Sequence, residues 1–188
     1  KAAIPSCDDY NSCTVDSCDA KKGCSYTKKK DGTKCGSGVC GGGKCVIGTQ
    51  AHPAKSCQEI VGNAGLQPTN GVYWIDPDGA AKIPKFRTFC AFNPGVGWTL
   101  AMKINGASKT FRYDSKLWTN SSGHNTSSVN FDTSQAKLPP FWTMPVKTVL
   151  VSMKLGSTYK WLAVPKSASS LRALFATNKP QLTKVGRN

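Results

Sequence analysis

Between residues 71 and 104 the chain alternates apolar and polar positions in three short runs, the period of strands rather than of helices. Tyr73 and Ile75 alternate with Val72 and Trp74. Phe86, Thr88 and Cys90 alternate with Arg87, Phe89 and Ala91. A third run begins at Gly95–Gly97 and puts Trp98, Leu100 and Met102 on one face. The Asp76-Pro77-Asp78-Gly79 segment after the first run is turn chemistry, with Pro presetting φ and Gly accepting a positive one. The pattern predicts an antiparallel meander with Trp98 as a core anchor. Ahead of it, Ser56 and Glu59 have capping-box spacing and predict a short helix over 57–62, stopped at Gly62. Further on, 148–155 and 159–164 read as two strands across Gly156-Ser157-Thr158, with Val149, Val151 and Met153 on one face and Leu150, Ser152 and Lys154 on the other. Ser167 then caps a predicted helix over 167–178, with Leu171, Leu174 and Phe175 on one stripe, Pro180 as its stop and a frayed basic tail beyond. Residues 105–145 read as loop.

The front of the chain breaks this pattern. Residues 7–46 have almost no Leu, Ile or Phe, so no apolar core can form there and cross-links must replace it. Of the nine cysteines, Cys7, Cys13, Cys18, Cys24, Cys35, Cys40 and Cys45 fall here, followed only by Cys57 and Cys90. Such density implies an oxidising compartment, hence secretion or display at the cell surface. The cluster has no His and no repeated CxxC, which argues against zinc. The pairing among the seven stays open, and one is left over for a partner upstream of Lys1, for another chain, or as a thiol. An upstream partner is favoured, with the numbering starting inside a longer precursor. Asp8, Asp9, Asp16, Asp19 and Asp31 lack the spacing of a calcium loop and read as turn formers. Residues 48–55 read as a polar linker carrying an exposed His52. The expected architecture is α+β: a disulfide-stapled module over 1–47, then an antiparallel-sheet domain over 56–188 with one or two short helices.

Charge adds a partner class. The formal net charge is +15, and after Asp132 nine Lys or Arg follow with no Asp or Glu. A one-signed surface attracts polyanions, although lysines spread singly also suit a solvated surface. No apolar run is long enough to span a bilayer. Catalysis is disfavoured: the two histidines have no nucleophile context, the carboxylates read as caps and turns, and no P-loop or dinucleotide fingerprint occurs. Within the long 105–145 segment Trp118, His124 and Trp142 are the candidate contact residues. Asn120-Ser121-Ser122 and Asn125-Thr126-Ser127 are glycosylation sequons, usable in a eukaryotic secretory pathway.

Two resemblances follow from particular phrases. CDDYNSCTVDSCD at 7–19 is similar to small Cys-rich repeats of secreted bacterial and protist proteins, which implies a spacer or stalk. The order Ser56-Cys57, GVYWIDPDG (71–79), FRTFC (86–90) and GWTLAMKI (97–104) resembles the opening of a fibrinogen-like domain, related to the intelectin-type lectins. That resemblance covers roughly residues 56–118, and the phrase FRYDSKLWTN (111–120) again resembles fibrinogen-like proteins. It implies a disulfide between Cys57 and Cys90, a structural Trp98, and recognition of carbohydrate or acetylated groups beside calcium. No acidic loop capable of holding calcium is found in the C-terminal third. The expected function is a lectin-like adhesin, secreted or on the cell surface, that binds glycans on a partner cell or matrix. The alternatives are a charge-driven polyanion binder and a structural or assembly domain of an extracellular fibre, working as a homo-oligomer.

Overall fold

The structure is a computed structural model that describes residues 6–62, 68–80, 82–177 and 179. The chain packs as two compact units, residues 1–99 and 100–188.

In the first unit, cysteines do the work of a core. Strands β1 (Thr14–Asp19) and β2 (Gly23–Lys28) form an antiparallel hairpin whose side chains are almost all exposed. Strands β3 (Lys34–Cys35), β4 (Gly38–Gly41) and β5 (Lys44–Val46) form a second small sheet. Cys13–Cys40 and Cys35–Cys45 are bonded, and all four of these side chains are buried. Aspartates close the turns: Asp19 accepts the amides of Lys21 and Lys22, and Asp31 accepts that of Gly42.

Helix α1 (Cys57–Gly62) and strands β6 (Gly71–Ile75), β7 (Phe86–Asn93) and β8 (Val96–Thr99) complete this unit, the strands in the order β6-β7-β8. Ser56 Oγ caps the helix by accepting the Glu59 amide. The Glu59 carboxylate accepts from the Lys55 amide and from the Ser37 hydroxyl of the Cys-rich segment, both at 2.6 Å. Cys57 and Cys90 are bonded across a sequence separation of 33, a closure that stabilises by about 4 kcal/mol in the chain-entropy account. Ala54, Ile60, Ile75 and Thr88 in this part of the unit are all solvent-inaccessible or nearly so. Gly97 is required here: a Cβ would run into the backbone of Cys57 and Gln58, so α1 rests directly on β8.

Several expectations change. Trp98 is half-buried beside Ala91 rather than the anchor of the core. The third strand ends at Thr99, and Met102 belongs to a separate pairing in the second unit. The segment read as a linker lies along β6. Trp74 donates its amide to Gly48 O, Ala54 donates to Trp74 O, Asp76 donates to Ala54 O, and Ala54 bridges Ile75 in parallel. His52 is half-buried, and its carbonyl accepts the amides of Gly48 and Thr49.

The second unit pairs β9 (Met102–Lys103) with β10 (Ala136–Lys137), between which the chain runs through irregular loop and one 3-10 turn, Lys116–Trp118. Helix α2 (Pro140–Thr143) follows, then the long hairpin β11 (Val146–Leu155) and β12 (Thr158–Ala168), then α3 (Leu171–Phe175). Its buried apolar side chains are Phe111, Val129, Ala136, Leu138 and Phe141. The hairpin is longer than expected and turns on Gly156 and Ser157 alone, since Leu155 pairs with Thr158. Ser167 stays in the strand. The helix cap is Ser170, whose hydroxyl accepts the Ala173 amide, and the helix has only five residues. Pro180 and the frayed tail over 181–188 lie outside the described residues. The fold is α+β, built from small antiparallel sheets and a few short helices. Among the described residues no helix is long and apolar enough to cross a membrane.

Candidate functional site

In the irregular segment of the second unit, three cations hold the loops through backbone carbonyls. Lys103, nearly buried on β9, donates to Ser128 Oγ (3.0 Å), Asn130 O (2.8 Å), Asp132 Oδ1 (2.6 Å) and Ser134 Oγ (3.0 Å). These oxygens come from alternate residues, so one ammonium organises the whole 128–134 loop. Its hydrogen bond, joined by those from Ser134, holds the Asp132 carboxyl down to about 2.

Lys137, on β10, is fully buried and donates to Asn120 O and Asn120 Oδ1, both at 2.8 Å. Its Nζ stands 4.7 Å from the Phe141 ring centre and 5.5 Å from that of Trp142, so two aromatic faces and a carboxamide take the place of a carboxylate. Burial pushes this ammonium down to about 8, and the charge of Arg172 adds to the effect. Arg172 donates to Thr119 O at 3.0 Å.

The residues singled out from sequence fall around this loop. Trp118 donates its Nε1 to Arg112 O at 2.7 Å, and its ring packs against Phe175 and Phe111. His124 pairs its backbone with Lys137 and sets its ring edge-on to Phe111. Trp142 packs over the Lys137 ammonium. Trp118 alone of the three lines the open cleft of about 540 Å³ formed with Tyr113, Asp114, Ser115, Lys116, Thr119 and Phe175. Asn120 is held by its carboxamide oxygen. Asn125, in the left-handed region at φ 47°, donates its Nδ2, the atom to which a glycan attaches, to Gln135 O.

Lys103 and Lys137 did not emerge from sequence reasoning, which treats lysine as solvated. No local signal marks them: Met102-Lys103-Ile104 and Ala136-Lys137-Leu138 both show the apolar-polar-apolar alternation of a strand with its lysine in solvent.

Metal-ligand chemistry is limited. Cys13, Cys35 and Cys40 converge, but as disulfide sulfurs they offer no thiolates, and Cys7, Cys18 and Cys24 converge likewise. Cys7 contacts both Cys18 and Cys24, which face each other across β1 and β2; one sulfur carries one disulfide, so the two contacts are alternatives. Asp8, Asp9 and Asp16 bring carboxylate oxygens within 4.8 Å of one another. Each of the three already accepts a backbone amide, from Tyr10, Asn11 and Asp9 respectively, which is the geometry of turn closure.

No curated protein and no solved structure matches the chain. Two family models do. The Dictyostelium (slime mold) repeat matches residues 6–29, the part of the Cys-rich front that holds the β1–β2 hairpin. The fibrillar collagen C-terminal domain, which is fibrinogen-like in fold, matches residues 44–140, from β5 through the meander and both buried lysines to the start of α2. With 97 of its 188 residues matched, the chain belongs to the fibrillar collagen C-terminal domain family.

Proposed function

We propose that this chain is an assembly domain of an extracellular fibre, bringing copies of itself together rather than transforming a substrate. The match over residues 44–140 carries this reading. The disulfide frame supports work outside the cell, in an oxidising medium. The Cys-rich front serves as a cross-linked spacer. Light scattering of the oxidised chain should give a defined oligomer, and a monomer at every concentration tested would sink the proposal.

A second reading rests on the Trp118 cleft. There Tyr113 is 91% exposed and Asp114 offers a carboxylate beside aromatic faces, a combination suited to a sugar ring. Glycan recognition predicts saturable quenching of Trp118 fluorescence by saccharide, abolished in Trp118→Ala. Quenching that persists in that variant would remove it.

A further inference from the structure

The hairpin β11–β12 has two unlike faces. On one, Tyr159 and Trp161 pack on Phe131, and Lys154 lies over Tyr159. Directly paired residues of antiparallel strands project to the same side, so the register places Val149 with Val164, Val151 with Leu162, Met153 with Lys160 and Leu155 with Thr158 on the other. Alternation along each strand adds Lys147 and Lys166 to that second face, at the end away from the turn. The face therefore has an apolar centre bounded by cations at both ends, with Lys160 toward the turn. Val151 is 48% exposed, Met153 61%, Leu155 57% and Leu162 48%. Neither strand contains an acidic residue, so nothing on the ribbon neutralises these lysines.

We propose that this face lies on the surface of an anionic phospholipid bilayer. Its occupant has to supply apolar contact at the centre and negative charge at both ends. A second copy supplies the first but sets one basic face against another, and like charges brought together oppose the contact. A soluble polyanion supplies the second and leaves the apolar side chains in water. A lipid interface supplies both, with acyl chains beneath and phosphates at the level that lysine ammonium groups reach. Val151, Met153, Leu155 and Leu162 enter the boundary between headgroups and acyl chains. The stems of Lys147, Lys160 and Lys166 run along the apolar surface and carry their charges out to the headgroups. Shape agrees: residues 153–158 are all exposed, so the turn end stands clear, and a bilayer receives a convex edge without a matching groove. Strands of about ten residues give the face a footprint on the order of 300 Å². That is small, so apolar contact and charge have to act together, and the attachment is peripheral and reversible. The inference goes beyond fibre assembly and does not depend on it.

Co-sedimentation of the full oxidised chain with lipid vesicles tests this. The chain should bind vesicles of phosphatidylcholine that contain phosphatidylserine, and not vesicles of phosphatidylcholine alone. Raising salt from about 0.1 M to about 0.5 M should weaken binding about tenfold. Lys160→Gln should weaken it about fivefold, the share of one ammonium at an anionic surface. Lys21→Gln removes the same charge from the exposed Cys-rich hairpin and should change nothing. Leu155→Ser, next to the turn and outside the core, should weaken binding about tenfold with an unchanged circular dichroism spectrum. Equal losses in Lys21→Gln and Lys160→Gln would reduce the binding to net charge and overturn the assignment of this face. Binding to dextran sulfate as tight as to the vesicles, and indifferent to Leu155→Ser, would overturn it in favour of a soluble polyanion. A lipid-free dimer weakened by Leu155→Ser would overturn it in favour of a second copy. Absence of binding to the phosphatidylserine vesicles would overturn it outright and leave fibre assembly standing.

Discussion

The two units solve the same problem by different chemistry. All nine cysteines lie in residues 1–99, where Cys13–Cys40, Cys35–Cys45 and Cys57–Cys90 are buried at the positions that Leu or Phe would occupy in a larger domain. Residues 100–188 have none, yet they contain the longest irregular stretch of the chain. There Lys103, Lys137 and Arg172 tie loop carbonyls to strands and helix. A disulfide restricts the unfolded chain and depends on redox conditions. A buried ammonium acts only in the folded state, depends on pH, and costs desolvation that its acceptors must offset. The contrast teaches why the second unit is so basic: part of its positive charge is structural.

Reduction should break the comparison most sharply. With dithiothreitol, unit one should lose its tertiary signal while the β11–β12 aromatic signal survives. The Cys57→Ser, Cys90→Ser pair alone should cost about 4 kcal/mol in denaturant unfolding. Loss of both units together would show that they are not separately stabilised. Next in size, Gly97→Ala forces a methyl into the Cys57 backbone and should cost about 3 kcal/mol by overpacking. An unchanged midpoint would mean that α1 can move off β8.

The pH experiments are smaller and address the second unit. The folded-state value of Lys137, about 8, lies below its ordinary 10.5, so the unfolded chain binds more protons between these values and stability should rise with pH across that window. Lys137→Met should flatten the rise and leave stability at neutral pH equal or higher, as hydrophobic replacement of buried charge often does. For Asp132 the sign is opposite in origin. Its depressed value, about 2, gives stability that is complete above pH 4 and lost as pH falls from there through 2. Asp132→Asn should remove that acid limb, read from midpoints between pH 5 and 2.

Much of the first unit was legible because its signals are local. The Ser56 cap, the Asp76-Pro77-Asp78-Gly79 turn and the alternation over 71–75 and 86–91 each dictate conformation within a few residues. The turn at Gly156 and Ser157 was equally plain. What escaped depends on distant partners. Met102–Lys103 finds Ala136–Lys137 across an irregular loop that no periodicity spans. Ser167 and Ser170 are equally good caps in sequence, and pairing of β12 through Ala168 leaves the role to Ser170. The lysines were missed because burial reverses what their composition suggests.

The docking of residues 48–54 against β6 has a mechanical consequence. A pull applied at the Cys-rich end enters the meander through the parallel Ala54–Ile75 bridge and the amides of Trp74 and Asp76. Gly48 and Ala54 both bond Trp74, so the pull meets the Trp74–Gly48 bond first and the Ala54 bonds behind it. Tension along the chain is thus delivered straight to the sheet that the Cys57–Cys90 bridge locks.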